Sequence, residues 1–342
     1  MNRDDEPLLT VRNLQVRFPV RLGDLSVRQA LGGRRERPVV HAVEDVSFSI
    51  GHGRTLGLVG ESGSGKSTIG NALMRLVEAT DGEITLAGMD VRAARGDALR
   101  AVRRTVAMVF QDPLASLDPR CTIRRALLDP LEIHGLHAEA REARVRELME
   151  LVGLPEALLE RYPHQLSGGQ RQRVCIGRAL AVEPKLIILD EATASLDVSV
   201  QAQILNLLKR LQGELGVSYL FIAHDLAAVE YMSHDVLVLY LGRAMERATR
   251  SELYAEPAHP YSAALLSAIP EIDPEVERTR ERTVLTGDVP SPVSPPSGCV
   301  FRTRCPIAID ACADAIPDPV ELSPTHRAAC IRVGETAPGR PS

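Results

Sequence analysis

Nine consecutive residues, Gly60-Glu61-Ser62-Gly63-Ser64-Gly65-Lys66-Ser67-Thr68, have the spacing G-x-x-x-x-G-K-[ST]. Glycines at these points let the backbone turn tightly and bring bare N–H groups against phosphate oxygens. A helix beginning near Lys66 adds partial positive charge at its N-terminus. The Lys66 ammonium is placed to reach terminal phosphates, and the Ser67 hydroxyl to sit on Mg²⁺. The complementary acids come later. Leu186 to Leu189 run apolar into Asp190-Glu191. Asp190 is suited to hold Mg²⁺ through water and Glu191 to polarise an attacking water. A chance glycine-rich turn and a solvated strand tip are the bland readings. The two signals together make nucleotide binding the stronger one.

The flanking elements agree with that chemistry. Arg54 to Val59 reads as a buried strand feeding the loop, and Ile69 to Val77 as an apolar helix leaving it. Upstream, Leu8 to Phe18 and Val43 to Ile50 alternate as strands. A basic segment at 19–38 separates them and reads as a solvated loop. Downstream, strands are expected at Glu83 to Leu86, Thr105 to Phe110, Leu186 to Leu189, Tyr219 to Ala223 and Val236 to Tyr240. Helices are expected at Thr122 to Ile133, Ala138 to Val152, Gly168 to Ala181, Val198 to Leu215 and Leu226 to Met232. Strands alternating with helices predict an α/β fold of phosphate-loop NTPase type with a mainly parallel sheet. The helical block suits packing, or a contact surface for a partner.

Composition removes several classes. The chain has 342 residues, 44% hydrophobic, with no Trp, 3% aromatics and a formal net charge of −5. Such a chain lacks the stacking platforms and basic surface of nucleic-acid binders. No run approaches the length of a membrane span, and the acidic start, Met1 to Glu6, predicts no signal peptide. We divide the chain into a nucleotide-binding domain at 1–255 with a helical subdomain at about 112–182, then a helix and Pro-rich linker at 256–298. A four-cysteine module at 299–332 and a loose tail at 333–342 follow.

Three further stretches narrow the class. Leu166-Ser167-Gly168-Gly169-Gln170-Arg171-Gln172-Arg173 places a glycine pair at a helix start. Gln111 ends a strand, and His224 ends the strand after the acids. With the Ser195-Leu196-Asp197 loop, their order resembles the ATP-binding cassette (ABC) family over roughly residues 8 to 250. That resemblance implies that two cassettes close head to tail over two ATP molecules. Ser167, Gly168, Gly169 and Gln170 of one chain would then complete the phosphate site of the other, with Asp197 in the loop beside them. It implies catalytic roles for Glu191, His224 and Gln111, and Mg²⁺ held by Ser67, Gln111 and Asp190. It also implies an aromatic stacked on adenine: Phe18, with His41 as the alternative.

Longer phrases are similar to the oligopeptide/dipeptide importer branch, "F" type. They are Phe110 to Arg120, Tyr162 to Arg173, Leu196 to Leu208, Tyr240 to Arg243, His259 to Pro270 and Gly287 to Pro306. Ala192 stands where that branch often has Pro, with little effect expected. The branch implies a sister or self cassette as partner, two transmembrane permease subunits, and indirectly an extracytoplasmic solute-binding protein. It implies a place at the cytoplasmic face of the membrane. A soluble cassette acting on ribosomes or DNA is the competing class, but it usually carries tandem cassettes or coiled-coil insertions. Cys299, Cys305, Cys312 and Cys330 could supply four thiolates to Zn²⁺ or to a [4Fe–4S] cluster, and reduced packing thiols are the alternative. The resembled branch has a similar pattern linked to an iron–sulfur cluster. A redox-sensing role that gates the ATPase is a third expectation.

Overall fold

Runs of apolar residues too short for helices form the framework of the computed structural model, which describes residues 6–20, 38–194, 196–269 and 285–333. Most of the basic segment, part of the Pro-rich linker, Ser195 and the tail lie outside the described residues. The strands in chain order are β1 Leu9–Pro19, β2 Val39–Ile50, β3 Thr55–Val59, β4 Asp81–Leu86, β5 Met89–Asp90 and β6 Val106–Val109. They continue as β7 Leu186–Asp190, β8 Ser218–Ile222, β9 Asp235–Tyr240, β10 Arg243–Thr249, β11 Val320–Glu321 and β12 Arg327–Ala328.

Two sheets result. An antiparallel one has the order β2-β1-β4-β5; the other has the order β11-β12-β10-β9-β3-β8-β7-β6. In the second, β9, β3, β8, β7 and β6 run parallel, and β10, β12 and β11 continue antiparallel. The antiparallel sheet was not foreseen as a separate layer. Its β1 buries Leu9, Val11, Leu14 and Val16. Between Val11 and Leu14 the register shifts, where Asn13 takes φ +48° and donates to Asp45 Oδ1 over 2.6 Å.

Alternate residues of the parallel strands serve two cores, as the period of two requires. Leu56, Leu58, Val106, Met108, Ile188, Leu220 and Ile222 join Ile69, Leu73 and the antiparallel sheet. Val59, Val109, Ile187, Leu189, Tyr219 and Phe221 join the helices on the other side. Those helices include Ile123–Ile133, Arg141–Leu151, Gly168–Leu180 and Val198–Leu215. Val145, Leu148, Met149 and Val152 are buried as the expected stripe.

Four elements differ from the sequence reading. The helix after the phosphate loop begins at Lys66 as expected but ends at Leu73, short of Val77, because the chain turns at Met74 and Arg75 takes φ +54°. Helix Gly96–Thr105 was missed; it buries only Val102, so it offers little apolar periodicity. Strand β10 and helix Arg250–Ala255 were also missed, being polar segments placed by pairing and by the Thr249 cap.

The C-terminal segment shares the main core. Phe301 is fully buried, with its ring 5.2 Å from both Tyr240 and Tyr261. Strand β12 pairs with β10, adding this segment to the large sheet. Behind them, the buried Glu246 carboxylate accepts from the N–H groups of Ala258 and His259 and lies 2.7 Å from His326 Nε2. Three partners satisfy an acid that could not otherwise be buried.

Candidate active site

Parallel strands put their C-terminal ends on one edge, and the candidate residues gather there. Strand β3 runs into Gly60, β6 towards Gln111, β7 into Asp190 and Glu191, and β8 towards His224. The loop between β3 and its helix needs two of its glycines for space as well as angle. Gly60 has φ +149°, and a Cβ there would lie 2.1 Å from Leu239 O. Gly65 has φ +102°, and a Cβ there would lie 2.3 Å from Ala42 O. Any side chain would push the loop off its neighbours.

Within the loop, the Lys66 ammonium donates to Gly60 O at 2.8 Å and Glu61 O at 3.0 Å. Burial pushes its pKa down, while Glu191, Asp190 and Glu61 oppose that shift. Ser64 is buried and its carbonyl accepts from Gly242 N, whereas Ser62 and Gly63 face solvent. No acid lies in the helix's first turn, where Ser67 and Thr68 follow Lys66. The N-terminal partial charge is therefore free to meet an anion.

The acids are held by neighbours far away in sequence. Ser67 Oγ donates to Asp190 Oδ1 over 2.9 Å. Burial holds the Asp190 carboxyl above its ordinary pKa, partly offset by the Ser67 hydrogen bond. Gln111 Nε2 donates to Glu191 Oε2 over 2.8 Å, and His224 Nδ1 lies 3.7 Å from the same oxygen. Glu191 takes φ +46°, a left-handed conformation, while its N–H donates to Ile222 O. Successive residues of a regular strand point to opposite faces. The left-handed turn breaks that alternation, and adjacent carboxylates reach one site. Such backbone strain is held in place by the β8 contact.

The donor set of Ser67, Asp190 and Gln111 is made of hard oxygens, which suits Mg²⁺. The glycine pair lies elsewhere. Ser167 caps helix Gly168–Leu180 in a reciprocal capping box with Gln170, and Ser167 and Gly168 are exposed. Gly169 packs closely: a Cβ there would meet Val200 Cγ1 at 2.6 Å. Asp197 is the exposed residue before helix Val198–Leu215, and Ser195 lies outside the described residues. Phe18 is 37% exposed near the end of β1, paired with Val40. The His41 ring is engaged with Glu44 at 2.7 Å, which leaves Phe18 the freer aromatic.

The metal expectation at the four C-terminal cysteines finds no support. Among the described residues no group of three or more His, Cys, Asp or Glu is arranged to hold a metal ion. The four thiols do approach one another: Cys299 N donates to Cys312 O, and charge on each neighbouring sulfur would raise the Cys305 pKa. Burial is the larger cause and pushes Cys305 up to about 11. Spacing brings the cysteines near one another, but the backbone decides whether their sulfurs converge on a point.

Two residues at this site were missed. Tyr261 Oη accepts from Glu61 N at 2.9 Å, and Arg304 Nη1 donates to Glu61 Oε2 at 2.6 Å. No local pattern marks either of them, because each acts across about two hundred residues of sequence.

Fold and site together define an ATPase of the phosphate-loop class. Residues 43–194 match the ABC transporter family, and residues 245–312 match the oligopeptide/dipeptide transporter C-terminal region. The oligopeptide transport ATP-binding protein OppF of Haemophilus influenzae is 47% identical, covering 97% of this chain and 99% of its own length. OppF of Salmonella typhimurium is 47% identical, covering 95% and 96%. A Brucella ovis protein, provisionally named a peptide import ATP-binding protein, is 50% identical over 96% of this chain and 98% of its own. Among solved structures, cbiO1 of Clostridium perfringens superposes with a TM-score of 0.61 at 26% identity, covering 74% of this chain and 92% of its own. The ATP-binding cassette MJ0796, a dimer bound to ADP and Pi, gives 0.60 at 28% identity, covering 71% and 98%. The chain belongs to the ABC transporter ATPases, in the branch with the oligopeptide/dipeptide C-terminal region.

Proposed function

We propose that this chain is the ATP-hydrolysing subunit of a membrane importer for oligopeptides, dipeptides or similar solutes. The observation that carries the reading is the position of Glu191. Gln111 holds its carboxylate from one side, His224 faces the same oxygen, and the Ser67–Asp190 pair sits on the preceding residue.

In this reading Gly60 to Thr68 bind the phosphates, with Lys66 neutralising charge on them. Ser67, Asp190 and Gln111 would hold Mg²⁺, which when bound screens the phosphate oxygens. Glu191 accepts the proton of an attacking water, and Gln111 and His224 fix the carboxylate's orientation. Ser167 and Gly168 are exposed, and with the half-buried Gly169 and Gln170 they serve a partner cassette in this reading, with Asp197 beside that interface. The partner is a sister ATPase or a second copy. Phe18 stacks on the adenine.

Among the described residues no helix is long and apolar enough to cross a membrane, and in this reading permease subunits hold the chain there. A groove of about 470 Å³ lies between β6 and the helical block and is lined by Phe110, Cys121, Pro130, Ile133, His134 and Arg178. Ile133 there is 70% exposed. We assign this groove to a permease subunit, and in this reading the chain lies at the cytoplasmic face of the membrane. The domain limits at 255, 298 and 332 remain part of the same reading. The narrower idea of a cluster at Cys299, Cys305, Cys312 and Cys330 is decided by metal analysis of anaerobically purified chain. Iron that disappears in Cys305→Ser supports it, and iron-free protein with full ATPase ends it.

The test of the main reading is co-purification from native membranes. Two polytopic proteins should accompany the tagged chain, and a peptide-loaded binding protein should raise its ATPase rate in vesicles. A chain recovered with ribosomes or DNA instead overturns the importer reading.

A further inference from the structure

Glu61 places a carboxylate inside a loop built to receive a polyanion. It follows Gly60 directly, and its carboxylate is among the charges that act on the Lys66 ammonium. Unanswered, that charge would repel phosphate and compete for Lys66. The structure answers it from the other end of the chain. Arg304 Nη1 donates to Glu61 Oε2 at 2.6 Å, with side chains only 9% and 25% exposed. The same nitrogen lies 3.4 Å from Tyr240 Oη.

Arg304 is not a surface residue that happens to reach a neighbour. Its N–H donates to Phe301 O, so it is fixed to the buried ring that joins the C-terminal segment to the cassette. Its Nε is buried with no hydrogen-bond partner among the described residues. A guanidinium is costly to desolvate incompletely, and the Glu61 carboxylate is what compensates it. Tyr261 Oη meanwhile accepts from the Glu61 N–H, so the extension holds this residue at both backbone and side chain.

We propose that Arg304 is a positioning residue for nucleotide binding: it draws the Glu61 carboxylate onto the C-terminal extension and cancels its charge, leaving Lys66 and the loop N–H groups for phosphate. The extension is thereby part of the nucleotide site. This rests on residues 60–68 being that site.

The test is calorimetric titration of full-length chain with ATP in EDTA, so that nothing is hydrolysed. Arg304→Gln weakens ATP binding on the order of tenfold, and Arg304→Lys keeps it within about threefold. In a Glu61→Gln background, adding Arg304→Gln changes affinity by less than about twofold relative to Glu61→Gln itself. In turnover assays Arg304→Gln raises KM and leaves kcat within about twofold. A general structural role would give the same loss in both backgrounds, and that result overturns the proposal. Should Arg304→Gln fail to fold, Arg304→Lys decides: it keeps the charge beside Glu61, and a loss of ATP binding of about tenfold in that folded variant overturns the proposal. Wild-type chain that binds no ATP would instead end the assignment of the loop itself.

Discussion

Gln111 Nε2 and Glu191 Oε2 lie 2.8 Å apart, joining residues 80 positions apart at the ends of neighbouring parallel strands. The amide steers one carboxylate oxygen and leaves the other for chemistry. Replacing Glu191 by Gln keeps the shape and removes the base. Phosphate release should fall by at least about a hundredfold while ATP remains bound. Size-exclusion chromatography with ATP should then show a dimer trapped before hydrolysis. Unchanged turnover would remove Glu191 from the mechanism.

Lys66 has two duties. Its ammonium braces the carbonyls of Gly60 and Glu61, and it is a buried cation within the phosphate loop. Lys66→Ala should weaken ATP binding by at least on the order of tenfold, as expected for losing charge-assisted hydrogen bonds. Calorimetry measures this directly. Retained affinity would mean that the backbone N–H groups suffice.

The His326–Glu246 contact predicts a pH dependence of stability. The Glu246 hydrogen bond is the main cause that raises the His326 pKa, with Glu252 and Glu256 adding to it. A histidine raised on folding contributes stability that is full below its ordinary pKa. That contribution is lost as pH rises through the raised value. Urea midpoints should therefore fall on the alkaline side of that window. His326→Ala should flatten this limb and cost about 1–3 kcal/mol at acidic pH, since it leaves a buried carboxylate short of a partner. Equal slopes in both proteins would refute the linkage.

Phe301 is the mechanical join between the C-terminal segment and the cassette. It is fully buried among Tyr240, Tyr261 and His259. Phe301→Ala should destabilise the chain by about 3–5 kcal/mol, read from urea unfolding. Hydrogen exchange should rise at Arg304 and Glu61 together. Exchange confined to the C-terminal segment would show that the join does not carry to the phosphate loop.

Contiguous chemistry was legible in the residues alone. A phosphate loop needs its glycines, lysine and serine in one turn, so all of Gly60 to Thr68 could be read from spacing. The ends of β6, β7 and β8 were legible too, because buried strands are apolar runs and the polar residue that stops them is conspicuous. Hence Gln111, Asp190, Glu191 and His224 stood out, and the structure brings them to one edge of the sheet. Helices Val198–Leu215 and Leu226–Met232 have the expected ends, whereas polar Gly96–Thr105 gave no periodic signal.

Everything that depends on distant segments meeting was decided by tertiary structure. Strand β3 lies between β8 and β9 because of how the crossovers pack, and that order is what places Glu191 beside His224 and Asp190 beside Ser67. The left-handed turn at Glu191 is imposed by its β8 contact and has no glycine to announce it. The four cysteines show the limit in the other direction. Their spacing suggested ligands, yet ligation depends on where the backbone aims each sulfur. Arg304 and Glu61 stand 243 positions apart, and nothing in the residues alone paired the loop's Glu61 with a cation of the C-terminal segment. Burial around Phe301 brought them together, because packing takes two charges out of water only where each can answer the other.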